Sequence, residues 1–219
     1  MGSVIQGIPR AEVEFLKERM HLDLFVEGGT YTGGSAIRMS KIFPRVITIE
    51  KSPEMYEIAS RNIDIKGVRN IELRKGDTRT YLHEILSSHD NILFWLDAHW
   101  SGAKTYGEGD ECPLIQELET IFSFSKNYVI LIDDARLFLA PPPSPHDFRE
   151  WPGIRDIVEV LPSGHELLVH DDVIYVVPDQ AFNDFRSYLQ KVVTRNWNNA
   201  RVAEKKRKLP NLLSLFKGK

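Results

Sequence analysis

Acidic residues stand where several apolar runs of this sequence end. Five places carry such an acid: Glu27, Glu50, Asp77, Asp97 and the pair Asp133-Asp134. Carboxylates accept hydrogen bonds from hydroxyls and amines, bind hard cations and take part in proton transfer. A single acid at such a point could be a helix cap, but five on one edge repel one another unless a ligand, a metal or hydrogen-bond donors compensate them. The pattern therefore indicates a ligand site lined by carboxylates.

The first of these acids lies in the segment Leu24 to Ser35, LFVEGGTYTGGS, which contains four glycines. Such a turn lets the backbone approach a ligand closely, and a helix that begins near Ser35 would favour an anion at its N-terminus. The segment does not fit the dinucleotide fingerprint G-x-G-x-x-G and shows acid-x-Gly-x-x-x-Gly instead, at Glu27, Gly29 and Gly33. Taken alone, the turn could serve a nucleotide, a phosphate or no ligand.

Short apolar strands alternate with amphipathic helices along most of the chain. The predicted strands are 24–27, 46–50, 70–74, 92–96 and 128–132, and the predicted helices between and before them are 9–20, 35–42, 52–62, 80–86 and 114–122. This alternation predicts a parallel sheet with helices on both faces, in which ligands bind at the carboxyl ends of the strands. Two further strands, 166–170 and 173–177, are joined by only two residues, so the last strand is predicted to be antiparallel.

The domain organisation predicted from this pattern is simple. Residues 1–200 are expected to form a single α/β domain with an N-terminal helix at 9–20, a sheet core at 22–178 and a C-terminal helix at 180–197. Residues 201–219 form a basic tail that carries +6, whereas residues 1–200 carry −9. The tail is either a solvated terminus or a weak contact with an anionic membrane surface or a partner. No basic stripe occurs elsewhere, so no nucleic-acid partner is expected.

Composition places the chain in a broad class. Its 219 residues are 42% hydrophobic, and no segment has the roughly 18 apolar residues of a membrane span or the apolar core of a signal peptide. A cytoplasmic protein is the expectation. The single cysteine, Cys112, cannot form an internal disulfide and is interpreted as an ordinary thiol. The oligomeric state is not predicted.

Five segments together resemble one enzyme family. The segments FVEGGTYTGG, VITIE, KGDT, FWLDAH and LIDD are similar to those of class I S-adenosylmethionine-dependent methyltransferases. The resemblance covers about Leu24 to Val177. It implies S-adenosylmethionine as cofactor and a Rossmann-like three-layer sandwich, with a seven-stranded, mostly parallel sheet whose last strand is antiparallel. The chain departs from many family members at Tyr31, where they have a glycine, although this position also varies in some O-methyltransferase branches.

The resemblance also implies roles for the first three acids. The acid and glycines of the first turn, Glu27, Gly29 and Gly33, would receive the methionine part of the cofactor. Glu50 would bind the ribose hydroxyls, and Asp77 would face the adenine amino group; carboxylates suit both tasks. The neighbouring residues assigned to the same cofactor pocket are Gly28, Thr30, Tyr31, Ser35, Lys51, Thr78 and Asp97.

Asp97, Asp133 and Asp134 resemble the metal site of cation-dependent O-methyltransferases. The resemblance implies Mg²⁺ or another divalent cation that orients an acceptor hydroxyl and lowers its pKa. The alternative is that Asp133 caps a helix, Asp134 is solvated and Asp97 alone faces the acceptor.

His99, two residues beyond Asp97, is the candidate base. An imidazole suits proton transfer at neutral pH, although a histidine beside an aromatic residue is often only packed or hydrogen-bonded. The loop that follows, 100–113, contains three glycines and could cover the site. Its acids Glu108, Asp110 and Glu111 are either solvated or face a polar acceptor.

The sequence thus predicts a methyltransferase that uses S-adenosylmethionine, with Asp97 and His99 as catalytic residues. The predicted reaction is metal-assisted O-methylation of a hydroxyl on a small molecule or glycan sugar. The alternative is a non-catalytic or differently catalytic Rossmann-like module that keeps the cofactor pocket and uses its basic tail to dock a partner or membrane surface.

Overall fold

The computed structural model describes residues 7–97 and 110–208, with side chains through residue 204. The chain forms two compact units, Met1–Ala181 and Phe182–Lys219. The first unit contains the sheet and the helices around it, and the second contains most of the C-terminal helix. Within the described ranges, no helix is both long enough and apolar enough to span a membrane.

A seven-stranded sheet forms the centre of the first unit. Its strands are β1 Leu24–Gly28, β2 Arg45–Glu50, β3 Ile71–Lys75, β4 Asn91–Leu96, β5 Asn127–Ile132, β6 His165–His170 and β7 Val173–Pro178. Their order across the sheet is β3-β2-β1-β4-β5-β7-β6. The first five are parallel, and β7 is antiparallel to both of its neighbours. The predicted mostly parallel sheet with an antiparallel last strand is confirmed.

Eight α-helices connect or follow these strands in the described ranges. They are α1 Arg10–Met20, α2 Gly34–Met39, α3 Pro53–Lys66, α4 Thr78–Ser88, α5 Leu114–Phe122, α6 Arg136–Leu139, α7 Ile154–Val160 and α8 Asp179–Lys208. Most begin and end within a few residues of the predicted bounds. The exception is α8, which continues eleven residues beyond the predicted end at residue 197 and into the predicted tail.

Both faces of the sheet are covered, which explains why the central strands are nearly continuous apolar runs. On one face, Val26, Phe94 and Ile130 pack in a buried cluster with Leu82 of α4 and Leu118 of α5. The N-terminal helix also has a buried side, formed by Val13, Leu16 and Met20. Polar groups therefore collect at the strand ends rather than within the sheet.

Candidate functional site

The parallel strands bring their carboxyl ends to one edge of the sheet, as the sequence predicts. The backbone N–H of Asp97, directly after β4, donates to the carbonyl of Gly28 at the end of β1, 3.0 Å away. The N–H of Asp133, directly after β5, donates in the same way to the carbonyl of Leu96, 3.1 Å away. Asp97 therefore continues the ladder between β1 and β4, and Asp133 continues the ladder between β4 and β5.

The glycine turn closes against the end of β2. The N–H groups of Gly29 and Thr30 both donate to the carbonyl of Ile49, at 3.0 and 3.2 Å. Gly29 and Gly33 have φ angles of 87° and 82°, a conformation that glycine adopts without a steric penalty. Tyr31 has a φ of 50° despite its side chain, which is 57% exposed. The turn thus holds an aromatic ring at the surface in a backbone conformation that non-glycine residues seldom adopt.

Glu27 is a buried acid beneath this turn, and only 1% of the residue is exposed. Its carboxylate accepts a hydrogen bond of 2.6 Å from the hydroxyl of Thr48, which in turn lies 2.5 Å from the hydroxyl of Thr30. Burial raises the pKa of Glu27 to about 8, against the opposing effect of the Thr48 hydrogen bond. A cation that reached this carboxylate would favour its ionised form.

Glu50, at the end of β2, connects the glycine turn to the next helix. One carboxylate oxygen accepts the N–H of Tyr31 and the other accepts the N–H of Ser52, both at 2.7 Å. Burial raises the pKa of Glu50, while these backbone hydrogen bonds act in the opposite direction. Each carboxylate oxygen retains acceptor capacity after these bonds, so hydroxyl groups of a ligand could still bind there.

Asp77 lies in a cluster of paired charges. Its side chain caps α4 by accepting the N–H of Arg79 at 3.0 Å, and its two oxygens contact the guanidinium of Arg79 at 2.9 and 2.6 Å. Lys51 lies 2.9 Å from the same carboxylate, and Asp110 also contacts Arg79. The hydrogen bonds from Arg79 hold the pKa of Asp77 well below its usual range. The predicted contact of Asp77 with an adenine amino group would therefore have to form beside two cations.

The other residues predicted to bind the cofactor are distributed along the same edge. Gly28 ends β1, Lys51 follows β2, and Thr78 is the buried first residue of α4. Ser35 lies in the first turn of α2, where its hydroxyl accepts a hydrogen bond of 3.1 Å from Arg38. Asp97 is the last residue described before residue 110. The predicted base, His99, and Glu108 lie outside the described residues.

The predicted metal site is not formed by the described part of the chain. Across residues 7–97 and 110–208, no group of three His, Cys, Asp or Glu residues is placed to hold a metal ion. Asp133 accepts the N–H of Asp134 at 2.8 Å, and the carboxylate of Asp134 contacts the guanidinium of Arg136 at 2.7 Å. A metal bound by Asp97, Asp133 and Asp134 therefore stays a prediction that the described part of the chain does not support, and there Asp134 is paired with Arg136.

Arg136 contacts a second acid as well. The backbone N–H of Arg136 donates to Asp172 at 2.9 Å, and its guanidinium contacts the carboxylate of the same residue. The carbonyl of Asp172 also accepts the N–H of Ala135 at 2.8 Å. The tight turn between β6 and β7 thereby fixes the segment that follows β5.

Glu111 is buried, contrary to the prediction that it would be solvated or face an acceptor. Its carboxylate accepts the indole N–H of Trp151 at 2.7 Å and the backbone N–H of Asp147 at 3.1 Å, and it lies 3.1 Å from the ring of His146. Glu111 therefore attaches the segment before α5 to the proline-containing segment after α6. Burial raises the pKa of the neighbouring Cys112 to about 12, which agrees with an ordinary thiol.

Three residues of this edge were not singled out by the sequence, namely Thr48, Arg79 and Asp172. Thr48 lies two residues before Glu50, so the alternation of a strand already predicts that the two share a face. Its contact with Glu27 depends on the register between β1 and β2, in which these two residues are paired directly. Arg79 contacts Asp110, and Asp172 contacts Arg136, across more than thirty residues of sequence, so their spacing in the sequence does not predict these contacts.

The family comparison supports the resemblance. The model of the family described as RNA cap guanine-N2 methyltransferase matches residues 18–131. This range includes β1 to β4, all of β5 except Ile132, and four of the five acidic strand ends, but not Asp133-Asp134. A comparison with curated proteins finds no match.

Solved structures share the fold. The O-methyltransferase from Bacillus cereus in complex with SAH is 21% identical, with a TM-score of 0.57, over 78% of this chain and 82% of that chain. The O-methyltransferase TomG from Streptomyces achromogenes, involved in tomaymycin synthesis and solved in complex with SAM, is 16% identical, with a TM-score of 0.56, over 80% of this chain and 82% of that chain. At these identities the similarity shows a common fold.

Proposed function

The chain belongs to the family described as RNA cap guanine-N2 methyltransferase, and we propose that it is an S-adenosylmethionine-dependent methyltransferase. From the acidic edge of the sheet we infer that the acceptor atom is a hydroxyl oxygen of a small molecule or glycan. The acceptor oxygen would attack the methyl carbon of the sulfonium. The sulfur would leave with the electron pair of the broken S–C bond, and the acceptor would release its proton. The products would be S-adenosylhomocysteine, a methyl ether and a proton.

The observation that carries the cofactor assignment is the position of Glu27 under the glycine turn. A buried carboxylate with a raised pKa suits a cationic ligand, and S-adenosylmethionine carries both a sulfonium and an amino group. Gly29 and Gly33 have no side chains, so a ligand can approach the backbone of the turn closely. The backbone N–H of Tyr31 in the same turn donates to Glu50 of the next strand. We assign the methionine part of the cofactor to the turn and the ribose to Glu50.

The charge of the site edge supports an acceptor without phosphates. Acidic residues outnumber lysines and arginines among the described residues named above for this site, in which the cations are Arg38, Lys51, Arg79 and Arg136. Arg38 donates to Ser35, and the other three cations contact Asp77, Asp110, Asp134 or Asp172. A phosphate-rich acceptor would meet an excess of negative charge here, whereas a neutral sugar or phenol would not.

The second candidate acceptor is the guanine amine of an RNA cap, and the family match favours it. In that case Lys51 and Arg79, which lie at the cofactor end of the edge, would have to release Asp77 or Asp110 in order to contact phosphate. Methylation of this amine also releases a proton, so the two candidates are distinguished by the atom that carries the methyl group in the product.

The catalytic roles proposed for Asp97 and His99 concern the acceptor proton. Asp97 follows β4 beside the end of β1, close to where the cofactor methyl group would lie in this assignment. It would orient the acceptor hydroxyl, and His99 would accept the proton. Changing Asp97 to Asn should therefore reduce turnover while leaving cofactor affinity within about threefold of the wild type.

Metal assistance is the part of the sequence prediction that the described residues do not fit, so no step of the proposed reaction uses a cation. The dependence of turnover on a divalent cation can be measured by adding Mg²⁺ or EDTA to an active preparation. Turnover unchanged by EDTA agrees with the pairing of Asp134 to Arg136, whereas turnover that requires Mg²⁺ would restore the predicted metal site.

The experiment that tests the proposed function is transfer of a labelled methyl group from S-adenosylmethionine. The acceptors would be a panel of hydroxylated sugars and phenols, compared with a cap dinucleotide and a capped RNA. Label in a methyl ether supports the proposal, and label in the guanine amine supports the second candidate instead. Cofactor binding without transfer to any acceptor would favour the non-catalytic module.

A further inference from the structure

The part of α8 from Val193 to Glu204 is exposed along its whole length. All twelve of these residues are exposed, including the apolar side chains of Val193, Trp197 and Val202. Most of the stability of a helix in a protein comes from packing of its apolar side chains, which these residues lack within the described chain. This part of α8 therefore presents a helical surface on which apolar groups remain in contact with solvent.

One side of this segment combines an aromatic ring with cations. Val193, Trp197 and Arg201 follow one another at intervals of four residues, so they lie along the same side of the helix. The tryptophan is 65% exposed, and the guanidinium of Arg201 lies 5.3 Å from the centre of its ring. Lys205 continues the same spacing in the sequence. Tryptophan flanked by cations is typical of helices that lie at the boundary between water and lipid headgroups.

The charge of this end of the chain is strongly positive. Residues 201–219 contain seven lysines and arginines and a single acid, Glu204. A basic cluster, KKRK at 205–208, is followed by the sequence LPNLLSLF, which is rich in leucine. Cations can bind the phosphates of nucleic acid or of lipids, but leucines next to the cations suit only the second, since lipid also provides an apolar phase.

We propose that the exposed end of α8, which begins at Val193, binds the surface of an anionic lipid bilayer. The positive charge of this end of the chain attracts it to the headgroups, and Trp197 inserts at headgroup level, so that this part of α8 lies on the bilayer rather than crossing it. This binding uses no residue of the proposed cofactor or acceptor site. It can therefore be measured whether or not a methyl acceptor is known.

The test is sedimentation of the full chain with vesicles. One set of vesicles contains phosphatidylcholine alone, and the other contains equal amounts of phosphatidylcholine and phosphatidylglycerol. The chain is expected to sediment with the anionic vesicles at low salt, to remain soluble with the neutral ones, and to be released at about 0.5 M salt, where surface charges are screened. Equal binding to both sets, or no binding to either, would overturn the proposal.

Two variants test the contributions of charge and of the ring. Replacing Lys205, Lys206, Arg207 and Lys208 together with Glu should lower partitioning onto anionic vesicles by at least about tenfold. Trp197→Ser should lower it by about fivefold, because the ring can no longer enter the interface. Replacing Lys41, Arg61, Lys66 and Arg69 together with Glu makes the same change of charge at exposed positions of the first unit, and this matched control should change partitioning by less than about twofold.

A separate binding measurement distinguishes nucleic acid from lipid as the ligand. A single-stranded RNA is added to the chain in place of vesicles, and binding is followed for the wild type and the four-residue variant. RNA binding that the variant loses, together with no sedimentation on anionic vesicles, would overturn the lipid assignment. Sedimentation that depends on both the basic cluster and Trp197 would support it.

Discussion

Thr48 and Glu27 are paired residues of neighbouring parallel strands, and the hydroxyl of Thr48 donates a hydrogen bond of 2.6 Å to the Glu27 carboxylate. Since Thr30 of the glycine turn lies 2.5 Å from the same hydroxyl, the turn is linked through Thr48 to the buried acid. Polar groups in such buried networks depend on one another, and removal of one leaves its partner without compensation.

Replacing Thr48 with valine keeps the shape of the side chain but removes this donor. The ionised form of Glu27 then loses a hydrogen bond, so we expect affinity for S-adenosylmethionine to fall by about three- to tenfold. Thr48→Ser keeps the hydroxyl and should bind within about twofold of the wild type. Calorimetric titration of the three proteins gives the comparison. Equal affinity of the valine variant and the wild type would show that the hydrogen bond does not support binding.

Affinity for the cofactor should depend on pH through Glu27. Its pKa in the unliganded chain is about 8, so the group is mostly protonated at pH 7. A cationic ligand stabilises the ionised form, and binding therefore releases a proton. The affinity for S-adenosylmethionine is expected to rise between pH 6 and 7.5, by up to about tenfold per pH unit.

The matched control for this pH dependence is Glu27→Gln, which has no proton to release. Its affinity should be lower and nearly independent of pH over the same range. Titrations in buffers of different ionisation enthalpy count the released protons directly. A wild-type affinity that does not change with pH would mean that no cationic group of the ligand reaches Glu27.

Asp77 should contribute to stability mainly above pH 4. Arg79 holds the pKa of Asp77 below its ordinary value of 3.8, so the contribution is present above that pH and is lost as the pH falls below it. Asp77→Ala removes both the helix cap and the ion pairs, and should lower the free energy of unfolding by about 1–2 kcal/mol at pH 7. Asp77→Asn keeps an oxygen that can accept the N–H at the start of α4, so it should lower the free energy of unfolding by less than Asp77→Ala does.

Urea denaturation at pH 7 and pH 2.5 measures this difference. The gap between the wild type and Asp77→Ala should be smaller at the lower pH, because the Asp77 carboxyl of the unfolded chain is then protonated and must lose its proton to form the ion pairs on folding. A gap that is as large at pH 2.5 as at pH 7 would mean that the ion pairs with Arg79 and Lys51 do not stabilise the fold.

His165 is predicted to make the fold sensitive to mild acid. Its ring stacks on Tyr128 at 4.9 Å, and burial lowers its pKa below the ordinary 6.5. The folded state thus favours the neutral ring, so the stability is fully present above pH 6.5 and is lost as the pH falls below it. His165→Phe keeps an aromatic ring against Tyr128 and should unfold at a urea concentration that changes less between pH 7.5 and 5.5. An equal change in both proteins would rule out His165 as the responsible group.

The strands, their acids and the glycine turn could be predicted because the signals are local. Four of the five parallel strands are short apolar runs, the exception being β3, and Glu27, Glu50 and Asp97 directly end or follow such runs. The carboxyl ends of parallel strands must share an edge, so the same pattern predicts where these acids lie. The two-residue connection at Asp171-Asp172 likewise predicted that β7 is antiparallel.

Other features depend on contacts between residues that are distant in sequence. The pairing of Asp134 with Arg136 and Asp172 requires the β6–β7 turn to reach the end of β5, which spacing alone cannot predict. The sequence does not predict the burial of Glu111, because Trp151, whose indole N–H donates to it, is forty residues away. The extension of α8 was missed because residues 198–208 are mostly polar and carry no helical apolar period.

Binding of S-adenosylmethionine to the full chain tests whether this edge of the sheet holds a methyl donor. Calorimetric titration at pH 7.5 should show one site per chain, with a dissociation constant between about 1 and 100 μM, and competition by S-adenosylhomocysteine. The Glu50→Ala variant, which removes the acceptor that connects the turn to β2, should bind at least about tenfold more weakly. A wild-type chain that binds neither compound would contradict the assignment of this edge as a methyl-donor site.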